Sequence, residues 1–228
     1  MKPRRNLRSP GSNSPVDNSA LRKRGPYAGE VRWDDLFDDL ASELQGGLDA
    51  EAARRAVEDE RLRVGRLTVR ERLIALAESG DRPVSLLMSD GSIVAVRPKS
   101  FGSDWLSAEL LAESGRARVC IVPTAGIASL VLDEEQLVAS LREPRGSHPG
   151  DLSGRLGLPF ALRDLGRRRQ QCEFVVTTGT IVGTIDRVAR DHLDVAVHER
   201  GVARRAKDVV AYRIIPLDDL RLVILAGD

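Results

Sequence analysis

Cysteine is nearly absent from this chain of 228 residues, which has only Cys120 and Cys172. Two cysteines so far apart make neither a disulfide framework nor a CxxC metal site, and they suit a reducing cytoplasm. No apolar run approaches about 18 residues, so a membrane-spanning helix is excluded. The first residues are charged and lack an apolar segment, so no secretory leader is expected. There is no P-loop, and the glycines form no GxGxxG pattern. An excess of one charge is also missing. Lysine and arginine total 35 against 34 acids, a net charge of +1, so no global basic field announces a nucleic-acid binder. Lysine is scarce, 4 against 31 arginines; the bias runs through the whole chain and reads as a GC-rich genome rather than as selection for phosphate contacts.

What is present is enough for a core, since 42% of residues are hydrophobic. Charge is unevenly placed. Residues 1–26 carry seven positive side chains against Asp17, with four prolines, and read as a disordered basic tail. Residues 27–61 carry eleven acids against four arginines, so the tail has an acidic segment on which to fold back. Trp33, Leu36, Phe37, Leu40 and Leu44 recur at helical spacing with acids opposite. This predicts a helix that Gly46-Gly47 ends and a second helix starting near Asp49. The apolar face packs on the rest of the protein or docks in a partner's groove, and Trp33, Leu36, Phe37 and Leu40 are the candidate partner-binding residues. Thr68 and Glu71 have capping-box spacing, which predicts a further helix to about Ser79.

The dominant signal is an internal repeat. Val84–Val94 aligns with Cys172–Val182 without a gap. Asp104-Trp105-Leu106 aligns with Asp191-His192-Leu193, Ile121-Val122-Pro123 with Ile214-Ile215-Pro216, and Leu130-Val131-Leu132 with Val223-Ile224-Leu225. Leu73 and Leu76 correspond to Leu162 and Leu165 on a helix before each first strand. Each unit reads as a helix, a four-strand meander, a short turn after Pro123 or Pro216, and a closing strand. The expected fold is α+β, mainly β, with tandem five-stranded small barrels. The expected segments are the tail 1–26, helices 27–67, repeats 68–132 and 159–228, and a linker 133–158 rich in Gly, Pro and Ser.

Residues 68–132 and 159–225 resemble the Sm-like (LSm) fold, or more broadly an SH3-like barrel, through the leading helix, Gly91, Gly179, Gly183, Asp104, Asp191, Pro123 and Pro216. The whole chain also looks like an uncharacterised actinobacterial protein family. The Sm-like resemblance implies RNA contacts through two loops, one with an Asp followed by Asn and one with an Arg-Gly pair. Asp104 and Asp191 match the first aspartate. Trp105-Leu106 and His192-Leu193 replace the Asn, and Val122-Pro123-Thr124 and Ile215-Pro216-Leu217 replace the Arg-Gly pair.

Candidate chemistry is sparse. His148 lies in the linker; His192 and His198 sit in or beside one strand, too far apart to share a metal. Cys120 and Cys172 fall in strands, where a buried inert thiol is the usual outcome. No catalytic residue, cofactor or metal is therefore expected. Basic clusters remain: Arg167, Arg168 and Arg169 after the second helix, Arg187 and Arg190 before Asp191, and Arg204, Arg205 and Lys207 later. They either line an edge that contacts RNA or DNA phosphates weakly and without reading sequence, or form a solvated, salt-bridged surface. Two functions follow as expectations: a non-enzymatic nucleic-acid-associated accessory protein, or an adaptor docking on a larger protein complex through the aromatic-acidic helix or a barrel edge.

Overall fold

Glycine alone does not stop a helix. In the structure, a computed structural model that describes residues 33–111, 117–144 and 153–226, helix α1 (Trp33–Arg66) runs unbroken through Gly46 and Gly47. This corrects the expected pair of helices. Each glycine costs about 1 kcal/mol relative to alanine, yet it keeps its N–H and clashes with nothing, whereas proline would break the ladder. Asp49, expected to cap a new helix, instead accepts a hydrogen bond from the Gln45 side-chain amide one turn earlier, at 3.0 Å. Glu51–Arg55 and Glu60–Arg63 pairs brace the later turns. The basic tail 1–26 and His148 lie outside the described residues.

The chain divides into two units, Met1–Ala56 and Val57–Asp228. The described part of the first is α1 as far as Ala56, with Phe37, Leu40, Leu44 and Leu48 exposed along it.

The second unit holds both repeats. Helix α2 (Val69–Ser79) starts with the expected capping box between Thr68 and Glu71. Strands β1 (Val84–Met88), β2 (Ile93–Phe101), β3 (Trp105–Leu111) and β4 (Ala117–Pro123) form a meander, a 3-10 turn spans Thr124–Gly126, and β5 (Ile127–Val131) returns beside β1. Helix α3 (Glu134–Ser140) follows, with its own capping box between Asp133 and Gln136. Helix α4 (Leu158–Arg167) then leads β6 (Gln171–Val176), β7 (Gly179–Val188), β8 (His192–Val197), β9 (Ala211–Pro216), a 3-10 turn at Leu217–Asp219 and β10 (Leu220–Leu225).

The duplication extends to the irregularities. The second strand of each repeat bulges at the same place, between Pro98 and Ser100 and between Ile185 and Arg187. The closing ladder bulges between Leu87 and Met88 and between Leu220 and Leu222. The amide after each proline donates to the turn aspartate, Thr124 to the Asp104 carbonyl and Leu217 to that of Asp191. Register corrects the gapless alignment of the first hairpins. Leu86 faces Val94, whereas its counterpart Phe174 faces Ile181, so the second copy drops its one residue inside the turn. Three residues, 89–91, lie between the facing Met88 and Ser92, while Thr177-Thr178 alone lie between the facing Val176 and Gly179. Gly183 therefore stands where the first copy has the buried Val96. A Cβ there would lie 2.3 Å from the Ala196 carbonyl oxygen, so only glycine permits this approach of β7 to β8.

The α+β antiparallel architecture agrees with expectation, but the two repeats are not separate sheets. All ten strands form one ladder in the order β5-β1-β2-β3-β4-β10-β6-β7-β8-β9. The join is β10, which pairs with β6 of its own repeat and with β4 of the other. Its side chains alternate between two cores. Leu220 and Val223 join Leu162, Phe174 and Leu193, while Leu222 and Ile224 join Leu73, Leu86 and Leu106. A strand used on both faces needs apolar residues at both parities, and Leu220-Arg-Leu-Val-Ile-Leu225 supplies them.

Candidate functional site

The basic residues singled out in the sequence lie on the outer side of the second repeat. Arg167 ends α4 and Arg168 and Arg169 follow it; the helix packs on β7 where Gly166 meets Ile185. Arg204 reaches back to the same strand and grips Asp186 with two hydrogen bonds of 2.8 and 2.6 Å. A guanidinium engaged bidentately by a carboxylate has little left for a phosphate. Arg168 pairs with Asp164 at 2.8 Å, and Arg187 faces its cross-strand partner Asp194 at 3.9 Å. Arg167, Arg169, Arg190, Arg205 and Lys207 are exposed and make no ion pair among the described residues.

The histidines are not brought together. His192 Nδ1 lies 2.7 Å from its neighbour Asp191, and this hydrogen bond holds the Asp191 carboxyl below the usual carboxylate range. His198 is buried. Its Nδ1 lies 3.1 Å from the Gln171 amide and 3.2 Å from the Glu199 carbonyl, and its Nε2 hydrogen-bonds with the Thr184 hydroxyl at 2.8 Å. The same Gln171 amide reaches the Glu199 carbonyl and its oxygen accepts from Gly201, so His198 helps anchor a loop. Burial pushes both cysteine thiols up to about 12, where almost no thiolate exists at neutral pH. Trp105 packs against the second repeat's core and donates its indole N–H to the Leu156 carbonyl at 2.9 Å. Among the described residues, no group of His, Cys, Asp and Glu has the arrangement of a metal site, and no helix is long and apolar enough to cross a membrane.

Phe37 and Leu40 are exposed on α1; Trp33 and Leu36 belong to the same helix.

Two features escaped the sequence. One is the seam between repeats, where Glu173 of β6, nearly buried, is bridged by Arg118 of β4 and, at 2.9 Å, by Arg200. The other is the pair of sheet ends, β5 and β9, which are open among the described residues. On β9 the apolar Tyr212 and Ile214 are exposed, with Val210 just before them; on β5 Val131 is exposed. The repeat carried a signal for these: Ile214 and Ile121 are the same position, and among the described residues Ile121 has a strand on each side whereas Ile214 has one on one side only. No family model, curated protein or solved structure matches the chain.

Proposed function

We propose that this protein is a non-enzymatic adaptor that docks on a protein partner through an open sheet edge. The observation that carries this reading is the apolar β9 edge, where Tyr212 and Ile214 are exposed on a strand that, among the described residues, pairs on one side only, with β8. Such an edge accepts an added strand through its backbone, and its side chains select the partner. Native sheets usually blunt free edges with charge or proline. Here Arg213 and the terminal Pro216 are the only such residues in β9. The exposed Phe37 and Leu40 of α1 offer a second docking element.

We infer further that each five-strand repeat curls as a small barrel of the Sm-like or SH3-like kind. The return of β5 beside β1, and of β10 beside β6, supports this, as do bulges at matching sites that bend the long second strands. Two unpaired thiols favour a cytoplasmic location.

The test is affinity capture with the full chain after nuclease treatment. A partner should be retained by the wild type and lost with Ile214→Arg, while Phe37→Arg reports on the helix. Equal capture by all three chains removes both docking elements. A second reading, weak phosphate binding, is favoured by the unpaired Arg167, Arg169, Arg190, Arg205 and Lys207. It requires RNA or DNA retention whose log affinity falls with log salt by about 0.9 per phosphate neutralised. No retention at low salt removes it.

A further inference from the structure

Helix α1 carries an apolar stripe that the described residues leave uncovered. Phe37, Leu40, Leu44 and Leu48 follow one another at spacings of three and four residues, which sets them on one side of the helix. They are 62%, 45%, 68% and 60% exposed. The stripe is about 17 Å long. A helix gains most of its stability from packing one face rather than from propensity, so such a stripe calls for an occupant. Its borders are acidic. Residues 33–53 hold seven acids and no lysine or arginine. At about 100° per residue, Asp38 stands on one flank and Glu43 on the other, and Glu51 closes the far end. Asp38 and Glu43 are exposed and make no ion pair among the described residues, whereas Glu51 is engaged by Arg55. Gly47 interrupts the stripe. A Cβ there would meet nothing within 4 Å, and the residue lines a shallow groove of about 470 Å³ with Leu40, Glu43, Leu44, Leu48 and Glu51. A glycine inside a helix costs about 1 kcal/mol against alanine. Here it opens a notch between leucines.

We propose that this stripe seats an amphipathic helix of a partner protein whose polar borders are lysine or arginine. This rests on the reading of α1 as a docking element and is independent of the β9 edge. The partner's apolar residues, spaced at helical intervals, lie along Phe37, Leu40, Leu44 and Leu48, and one of them enters the notch at Gly47. Its cations pair with Asp38 and Glu43. Charge selects this occupant over others. A second copy laid stripe to stripe sets seven acids against seven with no cation to separate them. Slid along to meet the arginines of the later turns, a second copy lays its leucines on Arg55, Asp59 and Arg66, which share the stripe's side of the helix around Leu62. An anionic membrane or a nucleic acid is repelled by the same acids. The chain's own residues 1–26 are basic, but their four prolines suit no helical stripe.

Fluorescence anisotropy tests this, with the full chain titrated into a synthetic amphipathic helix of leucine and lysine, about five turns long. The same peptide with glutamate in place of lysine is the control. The wild type should bind the leucine-lysine peptide with an affinity that falls as salt rises, and the control at least about tenfold more weakly. Leu44→Asp and Glu43→Lys should each weaken binding about tenfold. Gly47→Leu should do the same while raising the helix content seen by circular dichroism, because leucine fills the notch and is the better helix former. Binding lost in that variant is then not a lost helix. Equal binding of the two peptides overturns the proposal, as does binding that Leu44→Asp and Gly47→Leu leave unchanged. So does self-association in sedimentation velocity that Leu44→Asp abolishes, which makes a second copy the occupant. Binding that appears only once residues 1–26 are removed also overturns it, since the chain's own basic segment then fills the groove. None of these failures touches the β9 reading, which Ile214→Arg tests alone.

Discussion

The first and second repeats share their helix, five strands, bulge sites and turn bonds, yet their outer strands live in opposite environments. In the first, β4 is covered and β5 is free; in the second, β10 is covered on both faces and β9 is free. The seam covers the fourth strand of the first repeat and the fifth strand of the second. Burial of equivalent residues is thus set by neighbours, not by the repeat's own plan. The seam also carries what the free ends lack, the bridging of Glu173 by Arg118 and Arg200. Removing one partner of a buried pair leaves a desolvated charge, so such a contact fixes which strand belongs at the seam.

Matched substitutions break this comparison most sharply. Ile224→Ala removes a side chain buried in the other repeat's core and should cost about 3 kcal/mol, within the usual range for truncating a buried isoleucine. Val131→Ala, at the same position of the first repeat, should change stability by less than about 0.5 kcal/mol, as surface substitutions do. Denaturant unfolding measures both. Equal costs would mean that the two closing strands are equally buried.

A smaller effect comes from a core position where the repeats differ in kind. Gly183→Val, which copies Val96 of the first repeat, should cost about 2 kcal/mol through overpacking against β8. The reciprocal Val96→Gly should also destabilise, by emptying a buried site. A neutral Gly183→Val in thermal unfolding would mean that β7 can move off β8 freely.

The smallest effect is on pH. Hydrogen bonds from Thr68 hold the Glu71 carboxyl below its ordinary value, and bonds from the Gln136 backbone and Arg82 do the same for Asp133. A carboxyl with a lowered folded-state pKa binds protons more readily in the unfolded chain. Its stabilisation is complete above the ordinary carboxylate pKa of about 4 and is lost as pH falls through the folded value. Stability should be flat from neutral pH to about 5 and decline below about 4, with Glu71→Gln reducing the acid slope. An unchanged slope in Glu71→Gln would remove the first repeat's capping box as a contributor, leaving that of α3.

The repeat was legible because strand parity, turn chemistry and proline breaks are local, and they recur in Val84–Leu132 and Cys172–Leu225. The Thr68–Glu71 capping box was legible for the same reason. The end of the first helix was misread because Gly46-Gly47 weakens a helix without forbidding it, and the sum over 34 residues decided the outcome. The basic residues were legible as residue types. That Arg204 is held by Asp186 and Arg168 by Asp164, whereas Arg205 and Lys207 make no ion pair among the described residues, was not, since ion pairing depends on which strands and loops come together.

The amino-acid sequence by itself determined the two helix-and-five-strand units, because hydrophobic periodicity, caps and turns act within a few residues of each other. Only the tertiary structure decided that β10, while paired with β6 of its own repeat, would pair with β4 as well, joining two repeats into one ten-stranded ladder that ends at β5 and β9 among the described residues. That choice rests on hydrogen bonds and side-chain packing between segments about a hundred residues apart; the apolar residues at both parities of β10 suit burial on two faces but do not name β4 as the neighbour.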